Sequence, residues 1–292
     1  MKKRLNSLAD KLVISRKSDK RQNIKWSLRD LEDKLQSHFK GEITKTERFG
    51  SWNRNTILPR EHDPDSDVDL LVLFNDESKL PGYYRNELIK FMEKHYPDNP
   101  VKKDNPAVTL DQNRITYELV PAIKDTSDIT RYKIPNPADK NTWLPTSPKE
   151  LKLQLKSVNQ TYKGLVSRII RLCKYWNTYY KHKLSSYKLE RLVIGLNFKQ
   201  EDIYSGFLSA MNMIIKNEIT EVINAIAELE KEKQNLTNEE EIQIIEKQII
   251  QKNSILKKHE STQNSLVKIE QYRNEKRNED ELKELRILLP KL

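Results

Sequence analysis

Two aspartates stand two positions apart at the start of an apolar run in this chain. Asp67 and Asp69 lead into residues 70–74, a segment with the length and composition of a buried strand. Side chains at i and i+2 of a strand point to the same face, so the two carboxylates should project side by side. They repel each other unless a cation lies between them, and hard oxygen ligands favour Mg²⁺, which usually also takes phosphate oxygens from a substrate. The pair predicts a divalent-metal site, and the alternative is a solvated strand end.

A Gly-Ser pair precedes these aspartates by fewer than twenty residues. Gly50 and Ser51 should form a turn that offers backbone N–H groups and a hydroxyl. Such groups suit a phosphate. Together with the two carboxylates they predict a nucleoside-triphosphate site that lacks a P-loop.

The order Gly50-Ser51 followed by Ser66-Asp67-Val68-Asp69-Leu70 resembles the signature of the polymerase-β-like nucleotidyltransferases. The resemblance implies two Mg²⁺ ions, for which Mn²⁺ can substitute, that align a hydroxyl with the α-phosphate of a bound triphosphate. In-line attack then releases pyrophosphate. It also implies a third carboxylate on a neighbouring strand.

Glu118 is the best candidate for that third carboxylate. Strand alternation puts Thr116, Glu118 and Val120 on one face and the residues between them on the other. The family usually has Asp before this hydrophobic-Val-Pro ending. Glu is one methylene longer, which leaves open whether the metal geometry or the base role is altered. The alternative is a surface charge on an edge strand.

A second set of motifs narrows the resemblance. Lys174-Tyr175-Trp176-Asn177 followed by Ser186-Tyr187-Lys188-Leu189-Glu190 is similar to the bacterial cyclic-oligonucleotide synthases related to cyclic GMP-AMP synthase, the CD-NTases of anti-phage signalling. The resemblance implies that Lys174 and Ser186 hold the triphosphate and that Tyr187 stacks on a base. A departure lies at Asn55-Thr56, where the family more often has Gly-Thr, and it leaves the shape of the turn after Ser51 open.

The helix that carries Lys174 has two stripes at helical spacing. A core-like stripe contains Ile169, Leu172, Cys173 and Trp176, and a basic stripe contains Arg168, Arg171, Lys174 and Thr178. The basic stripe is suited to the β- and γ-phosphates of a triphosphate, and its alternative is a solvated basic face. Tyr187 has a strong alternative as well, because aromatic residues on helices mostly belong to the core.

Composition is typical of a compact cytoplasmic enzyme. The chain has 292 residues and a single cysteine, which excludes an intrachain disulfide and suits a reducing cytosol. The sequence contains no run of eighteen apolar residues, so it predicts no membrane span. The basic N-terminus lacks the apolar core of a signal peptide. Residues 1–60 hold sixteen Lys and Arg against seven Asp and Glu. We interpret this charge as an electropositive wall of the nucleotide cleft, with contact to RNA or DNA left open.

The pattern as a whole predicts an α+β fold with two lobes. Residues 1–145 should form a polymerase-β-like nucleotidyltransferase core with a mixed sheet and an N-terminal helix, and residues 146–292 a helical lobe. A Pro-containing connection at 133–148 separates them. Residues 214–275 predict an antiparallel helical hairpin, inserted before a closing helix, whose second helix starts with Thr237 as cap and Glu240 three residues on. The hairpin is either a binding surface for a protein partner or ordinary packing of the helical lobe.

These features predict a Mg²⁺-dependent synthase that makes a cyclic oligonucleotide second messenger from NTPs, at least one of them a purine, in anti-phage signalling of the CBASS type. Two alternatives remain at this point. One is transfer of single nucleotides to tRNA, protein or a small molecule, which would need Ser51, Asp67 and Asp69 but not Ser186 and Tyr187. The other is a non-catalytic interaction protein that only senses nucleotides.

Overall fold

A computed structural model of the chain describes residues 1–103, 106–112, 115–128, 131–139, 141–182, 184–198 and 202–292. The chain forms two compact units. The sheet unit is Leu12–Thr161, and the helical unit combines Met1–Lys11 with Tyr162–Leu292. The division at residue 145 stays a prediction. The sheet unit ends at Thr161 in the chain, and the first helix belongs to the helical unit.

The sheet unit contains both helices and strands. In chain order they are α2 (Asp19–His38), β1 (Ile43–Arg48), α3 (Gly50–Arg54), β2 (Asp67–Phe74), α4 (Pro81–His95), β3 (Val101–Lys103), β4 (Val108–Gln112), β5 (Ile115–Lys124), β6 (Tyr132–Pro135), β7 (Trp143–Thr146) and α5 (Pro148–Thr161). The helical unit consists of α1 (Lys2–Lys11), α6 (Leu165–Tyr179), α7 (Ser186–Ile194), α8 (Ile203–Gln234), α9 (Glu239–Asn274) and α10 (Asn278–Leu288).

The strands form one mixed sheet in the order β1-β2-β5-β4-β3, and β6 joins β5 to β7 at its side. The central pair β2 and β5 is parallel, whereas the other pairs of described strands are antiparallel. The predicted α+β class with a mixed sheet and a helical lobe is therefore confirmed.

The two faces of the sheet have different neighbours. Val68, Leu70 and Val72 of β2 belong to the large core, to which Leu28 of α2 and Leu88 of α4 also contribute. The alternate residues Leu71 and Leu73 of β2 pack with Val120, Ala122 and Tyr132 in a smaller cluster. Because side chains alternate along a strand, Asp67 and Asp69 share their face with this smaller cluster, at the start of β2.

The connection predicted at 133–148 is wrong in one respect, because it contains β6 and β7. Both strands include proline: Pro135 ends β6, and Pro145 lies within β7 opposite Lys133. Proline has no backbone N–H to donate to a neighbouring strand, so in a sequence it indicates that a strand ends. An edge strand nevertheless tolerates proline. Pairing of β6 with β5 and of β7 with β6 decides this segment.

The helical hairpin is confirmed. The long helices α8 and α9 pack along each other after a connection of four residues, 235–238. The hairpin starts before residue 214, since Asp202 caps α8 by accepting hydrogen bonds from the N–H groups of Tyr204 and Ser205. The cap of α9 is Asn238 and not Thr237, because the Asn238 side chain accepts from the Glu240 N–H at 2.9 Å. Among the described helices, none combines the length and apolar composition needed to cross a membrane.

Candidate functional site

The three carboxylates predicted from the sequence meet at one edge of the sheet. Parallel pairing of β2 with β5 sets Asp69 opposite Glu118 and Asp67 opposite Thr116. Asp67, Asp69 and Glu118 each offer an oxygen within 4.8 Å of the others, and all three are half-buried. The register of two parallel strands therefore assembles the cluster from residues that are distant in sequence.

Gly50 lies directly against one of these carboxylates. Its φ is +62°, in the left-handed region, and a Cβ placed on it would be 1.6 Å from Asp69 Oδ2. The Phe49 N–H donates to the Asp69 carbonyl at 3.1 Å, which ties the two segments together. Only glycine leaves room for the Asp69 carboxylate here, so Gly50 shapes the cluster by having no side chain.

Ser51 lies in a short helix, and the predicted Gly-Ser turn is corrected to the start of α3. The Ser51 carbonyl accepts hydrogen bonds from the N–H groups of Thr56 and Ile57, at 3.0 and 3.2 Å. Asn55 ends the helix with a φ of +57°, and Arg21 donates to its side-chain oxygen at 2.6 Å. Asn is among the residues that tolerate the left-handed region best. Asn55 therefore closes this turn where the family more often has glycine.

A polar network next to the cluster escaped the sequence reasoning. Thr116, the register partner of Asp67, donates to Asp111 Oδ1 at 2.5 Å. Arg60 donates to the Thr116 hydroxyl and to the Ser66 carbonyl. The hydrogen bond from Thr116 is the main reason that the pKa of Asp111 is lowered. Arg60 thus brings a positive charge beside Asp67, but it lies in a loop whose path the sequence does not indicate.

The donor set suits a hard divalent cation. The cluster consists of carboxylates alone, which are ligands for Mg²⁺, Mn²⁺ or Ca²⁺ and not the nitrogen and sulfur ligands typical of zinc. Three negative charges within 4.8 Å repel one another, and a bound cation relieves that repulsion. The residues present therefore fit a metal-binding role.

The other predicted substrate residues lie in the helical unit. Lys174 of α6 is 4% exposed, and its Nζ is 3.4 Å from Glu190 Oε1 of α7. Ser186, the first residue of α7, lies one turn before Glu190 and therefore on the same face of the helix. Glu190 was not predicted as a partner of Lys174, although both stand in the quoted motifs. The two motifs thus meet through a buried ion pair.

Neither alternative interpretation, a core position for Tyr187 or a solvated face for the basic stripe, agrees with the structure. Tyr187 is 55% exposed, so its assignment to a core is wrong. Arg168 donates to Asp10 of α1 at 2.7 Å and to the Asn6 carbonyl at 3.2 Å, which makes it a tie between two helices. Arg171 is buried, and burial lowers its pKa to about 10. The stripe is therefore not a solvated basic face.

Comparison with known families decides the relationship of this chain. The family of second messenger oligonucleotide or dinucleotide synthetase domains (SMODS) matches residues 1–159, more than half of the chain. The chain belongs to the SMODS family. This assignment confirms the resemblance found in the Gly-Ser and Asp-x-Asp motifs, whereas the Ser-Tyr motif lies outside the matched residues.

Individual relatives of this SMODS chain are distant. A probable cyclic nucleotide synthase of Bacillus cereus (strain VD146) is 23% identical over 61% of the chain, and the match spans 62% of that relative's length. The structure of CdnC from E. coli MS115-1 with ATP is 18% identical, covers 75% of this chain and 73% of its own, and has a TM-score of 0.59. The CD-NTase CdnG from Bradyrhizobium diazoefficiens, in complex with GTP, is 12% identical and covers 76% and 78%, with a TM-score of 0.62. At these identities the structures establish a shared fold.

Proposed function

We propose that this SMODS chain is a Mg²⁺-dependent nucleotidyltransferase that joins NTPs into a cyclic di- or trinucleotide containing at least one purine. The observation that carries the proposal is the convergence of Asp67, Asp69 and Glu118 beside Gly50 in a segment that matches a second-messenger synthetase family. Further support comes from the solved relatives, whose structures include one with ATP and one with GTP.

The proposed reaction is an in-line substitution at the α-phosphorus of the donor NTP. A ribose hydroxyl of the acceptor forms the new P–O bond, the bond to the bridging oxygen breaks, and pyrophosphate leaves with that electron pair. Bound Mg²⁺ ions would supply charge neutralisation and activation of the hydroxyl, and Mn²⁺ can replace them. Asp67 and Asp69 would hold the metal–triphosphate pair in this scheme, and Glu118 would serve on the side of the attacking hydroxyl. The hydroxyl proton passes to solvent.

Substrate contacts are proposed for five further residues. Gly50 and Ser51 serve the donor triphosphate through the backbone of α3, and Lys174 and Ser186 serve its terminal phosphates. Tyr187 stacks on a base, which its exposed ring permits. The Lys174 ammonium faces Glu190 at 3.4 Å, so a phosphate would share that ammonium with the carboxylate.

We infer that the product serves as a second messenger in anti-phage signalling of the CBASS type, in the cytoplasm. The support is the family description, which names second messengers. A protein partner at the α8–α9 hairpin and a contact of the basic first sixty residues with nucleic acid are secondary proposals, and the reaction needs neither. Phage plating on cells that carry the gene with its native neighbours, compared with an inactive variant, tests this role.

The decisive experiment is incubation of the protein with all four NTPs and Mg²⁺ or Mn²⁺, followed by mass spectrometry of phosphatase-resistant products. We expect a cyclic species and stoichiometric pyrophosphate. The variant Asp67→Asn with Asp69→Asn is the matched control, because it removes both charges while keeping the side-chain size. Single additions to tRNA or protein, with no cyclic species under either metal, would overturn the synthase assignment. Triphosphate binding without pyrophosphate release would indicate a sensor.

A further inference from the structure

The helical unit has an open cavity, and none of the residues proposed for the reaction lines it. Its volume is about 430 Å³, and it lies among the end of α6, the middle of α9 and the end of α10. Small-molecule sites in proteins span about 300–1,000 Å³. The cavity is thus large enough for one ligand of the size of a mononucleotide.

The wall contributed by α9 is polar and partly exposed. Its lining residues recur at spacings of three and four, which puts them on one face of the helix. They are Ser254, Lys257, Lys258, Ser261, Thr262 and Ser265. Elsewhere on α9 the inward positions are apolar, as at Ile249 and Leu266, which are buried. Within the lining, Thr262 and Ser265 are buried polar residues, which helix packing does not require, whereas the two lysines are exposed.

The opposite wall is flat and aromatic. His182 is stacked between Trp176, at 4.2 Å between ring centroids, and His259, at 5.2 Å. Both faces of His182 are thereby covered, so its edge is what can reach the cavity. Burial, reinforced by nearby positive charge, lowers the pKa of His182 to about 4. The ring is neutral at physiological pH and offers one donor and one acceptor to the edge of a heteroaromatic base.

Tyr180 and α10 complete this apolar side. The Tyr180 hydroxyl donates to the Ile287 carbonyl, which fixes the phenol ring against α10. Ile287 and Leu288 also line the cavity. The Tyr180 ring, fixed by this hydrogen bond, therefore presents an aromatic surface on which a base can stack.

Lys257 and Lys258 bring positive charge to the cavity. Within the part of the chain that the structure describes, neither Lys257 nor Lys258 has a carboxylate within 4.0 Å. The stripe adds hydroxyls on either side of the two lysines. Ammonium groups with neighbouring hydroxyls are suited to a phosphate. The aromatic side of the cavity and its anion site thus suit the two parts of one ligand, a base and a phosphate.

We propose that this cavity binds a nucleoside monophosphate, with its base at Tyr180 and the His182 edge and its phosphate at Lys257 and Lys258. Trp176 and Lys174 stand on opposite sides of α6, because two positions along a helix correspond to a rotation of about 200°. The same helix thus joins this second site to the lysine proposed for the donor triphosphate. The binding site itself does not rest on the synthase activity, and binding alone tests it.

The test uses the full chain carrying Asp67→Asn and Asp69→Asn, in buffer with EDTA, so that metal-dependent binding at the carboxylates does not contribute. Isothermal titration with AMP, GMP, CMP and UMP should give one bound nucleotide per chain for at least one of the four. The double variant Lys257→Glu, Lys258→Glu should weaken that binding at least tenfold. Its matched control, Lys247→Glu with Lys268→Glu, makes the same charge change at exposed positions of α9 outside the cavity and should stay within twofold.

Two further measurements separate the halves of the ligand. Adenosine and inorganic phosphate should each bind at least tenfold more weakly than AMP, since each satisfies one half of the cavity. Ser261→Trp, which fills the cavity from its α9 wall, should abolish binding while the circular dichroism spectrum stays unchanged. The proposal is overturned if no mononucleotide binds, if the control variant loses affinity as strongly as the cavity variant, or if phosphate alone binds as well as AMP.

Discussion

Substitution of Gly50 by alanine is the sharpest perturbation of the carboxylate cluster. The new Cβ would lie 1.6 Å from Asp69 Oδ2 and 2.3 Å from Asp69 Cγ, whereas ordinary contacts begin at 3.4 Å. The carboxylate oxygen must therefore move by about 1.8 Å, or α3 must shift by a similar amount. A displacement of about 1 Å at a reacting centre is enough for a loss of about 10²-fold. We expect product formation to fall at least that far.

Gly41→Ala is the matched control. Gly41 also has a positive φ, +81°, but a Cβ there would meet nothing within 4 Å. Both variants carry the left-handed strain of about 1–2 kcal/mol, and only Gly50→Ala adds the clash. The assay is pyrophosphate release with NTPs and Mg²⁺, beside chemical denaturation of each variant. Gly41→Ala should keep its rate within about twofold, because its strain is remote from the cluster.

A double-mutant cycle gives a readout that does not depend on turnover. An Asp69→Ala background removes the clashing carboxylate and leaves only the Cβ of residue 69, 2.9 Å from the new Cβ. Gly50→Ala should therefore destabilise the fold by about 1 kcal/mol less in that background than in the wild type. Equal destabilisation in both backgrounds, together with a rate for Gly50→Ala close to that of Gly41→Ala, would refute the close approach of Gly50 to Asp69.

The remaining predictions concern the other proposed groups. Asp67→Asn with Asp69→Asn should lower the rate by roughly 10³-fold or more, since a metal supplies several kcal/mol and each 1.36 kcal/mol is tenfold; far-ultraviolet circular dichroism should show the fold intact. Glu118→Gln should lower kcat far more than it changes the KM for the donor, and Glu118→Asp should retain activity, both by steady-state kinetics. Tyr187→Ala should raise the donor KM roughly fivefold or more, because a stacked base is worth about 1–3 kcal/mol. The pKa of His182 is about 4 when folded and about 6.5 when unfolded, so the unfolded chain binds the proton first as pH falls. The Tm should therefore decrease as the pH is lowered from about 6.5 to about 4, and it should decrease less steeply in His182→Phe.

Each of these predictions has an outcome that contradicts it. A wild-type rate in the double Asn variant would remove the metal assignment. Equal losses in kcat and KM for Glu118→Gln would make that residue a general binding group, and an unchanged KM for Tyr187→Ala would exclude base stacking there. Parallel pH profiles of Tm for wild type and His182→Phe would show that another group controls the acid loss.

Local pattern was sufficient for the strands that carry the cluster. Residues 67–74 form β2 as predicted, and the apolar run 70–74 within it is buried on both sides. The alternation along β5 correctly set Glu118 apart from Tyr117 and Leu119, which are fully buried in the large core. Pattern failed where the signal was proline, at β6 and β7, because pairing partners and not local propensity decide whether an edge strand forms.

The sequence by itself determined the fold class, the family and the residue types of the carboxylate cluster, because spacing of two along a strand and a few motifs suffice for these. Tertiary structure alone decided which atoms meet. The parallel register of β2 and β5 brings Glu118 to Asp69, and the positive φ of Gly50 leaves space for the Asp69 carboxylate. Packing also turned Arg168 to α1, buried Lys174 against Glu190 and built the cavity beside His182. Such contacts join residues that are far apart in the chain, and a single sequence does not show which distant residues lie close together in space.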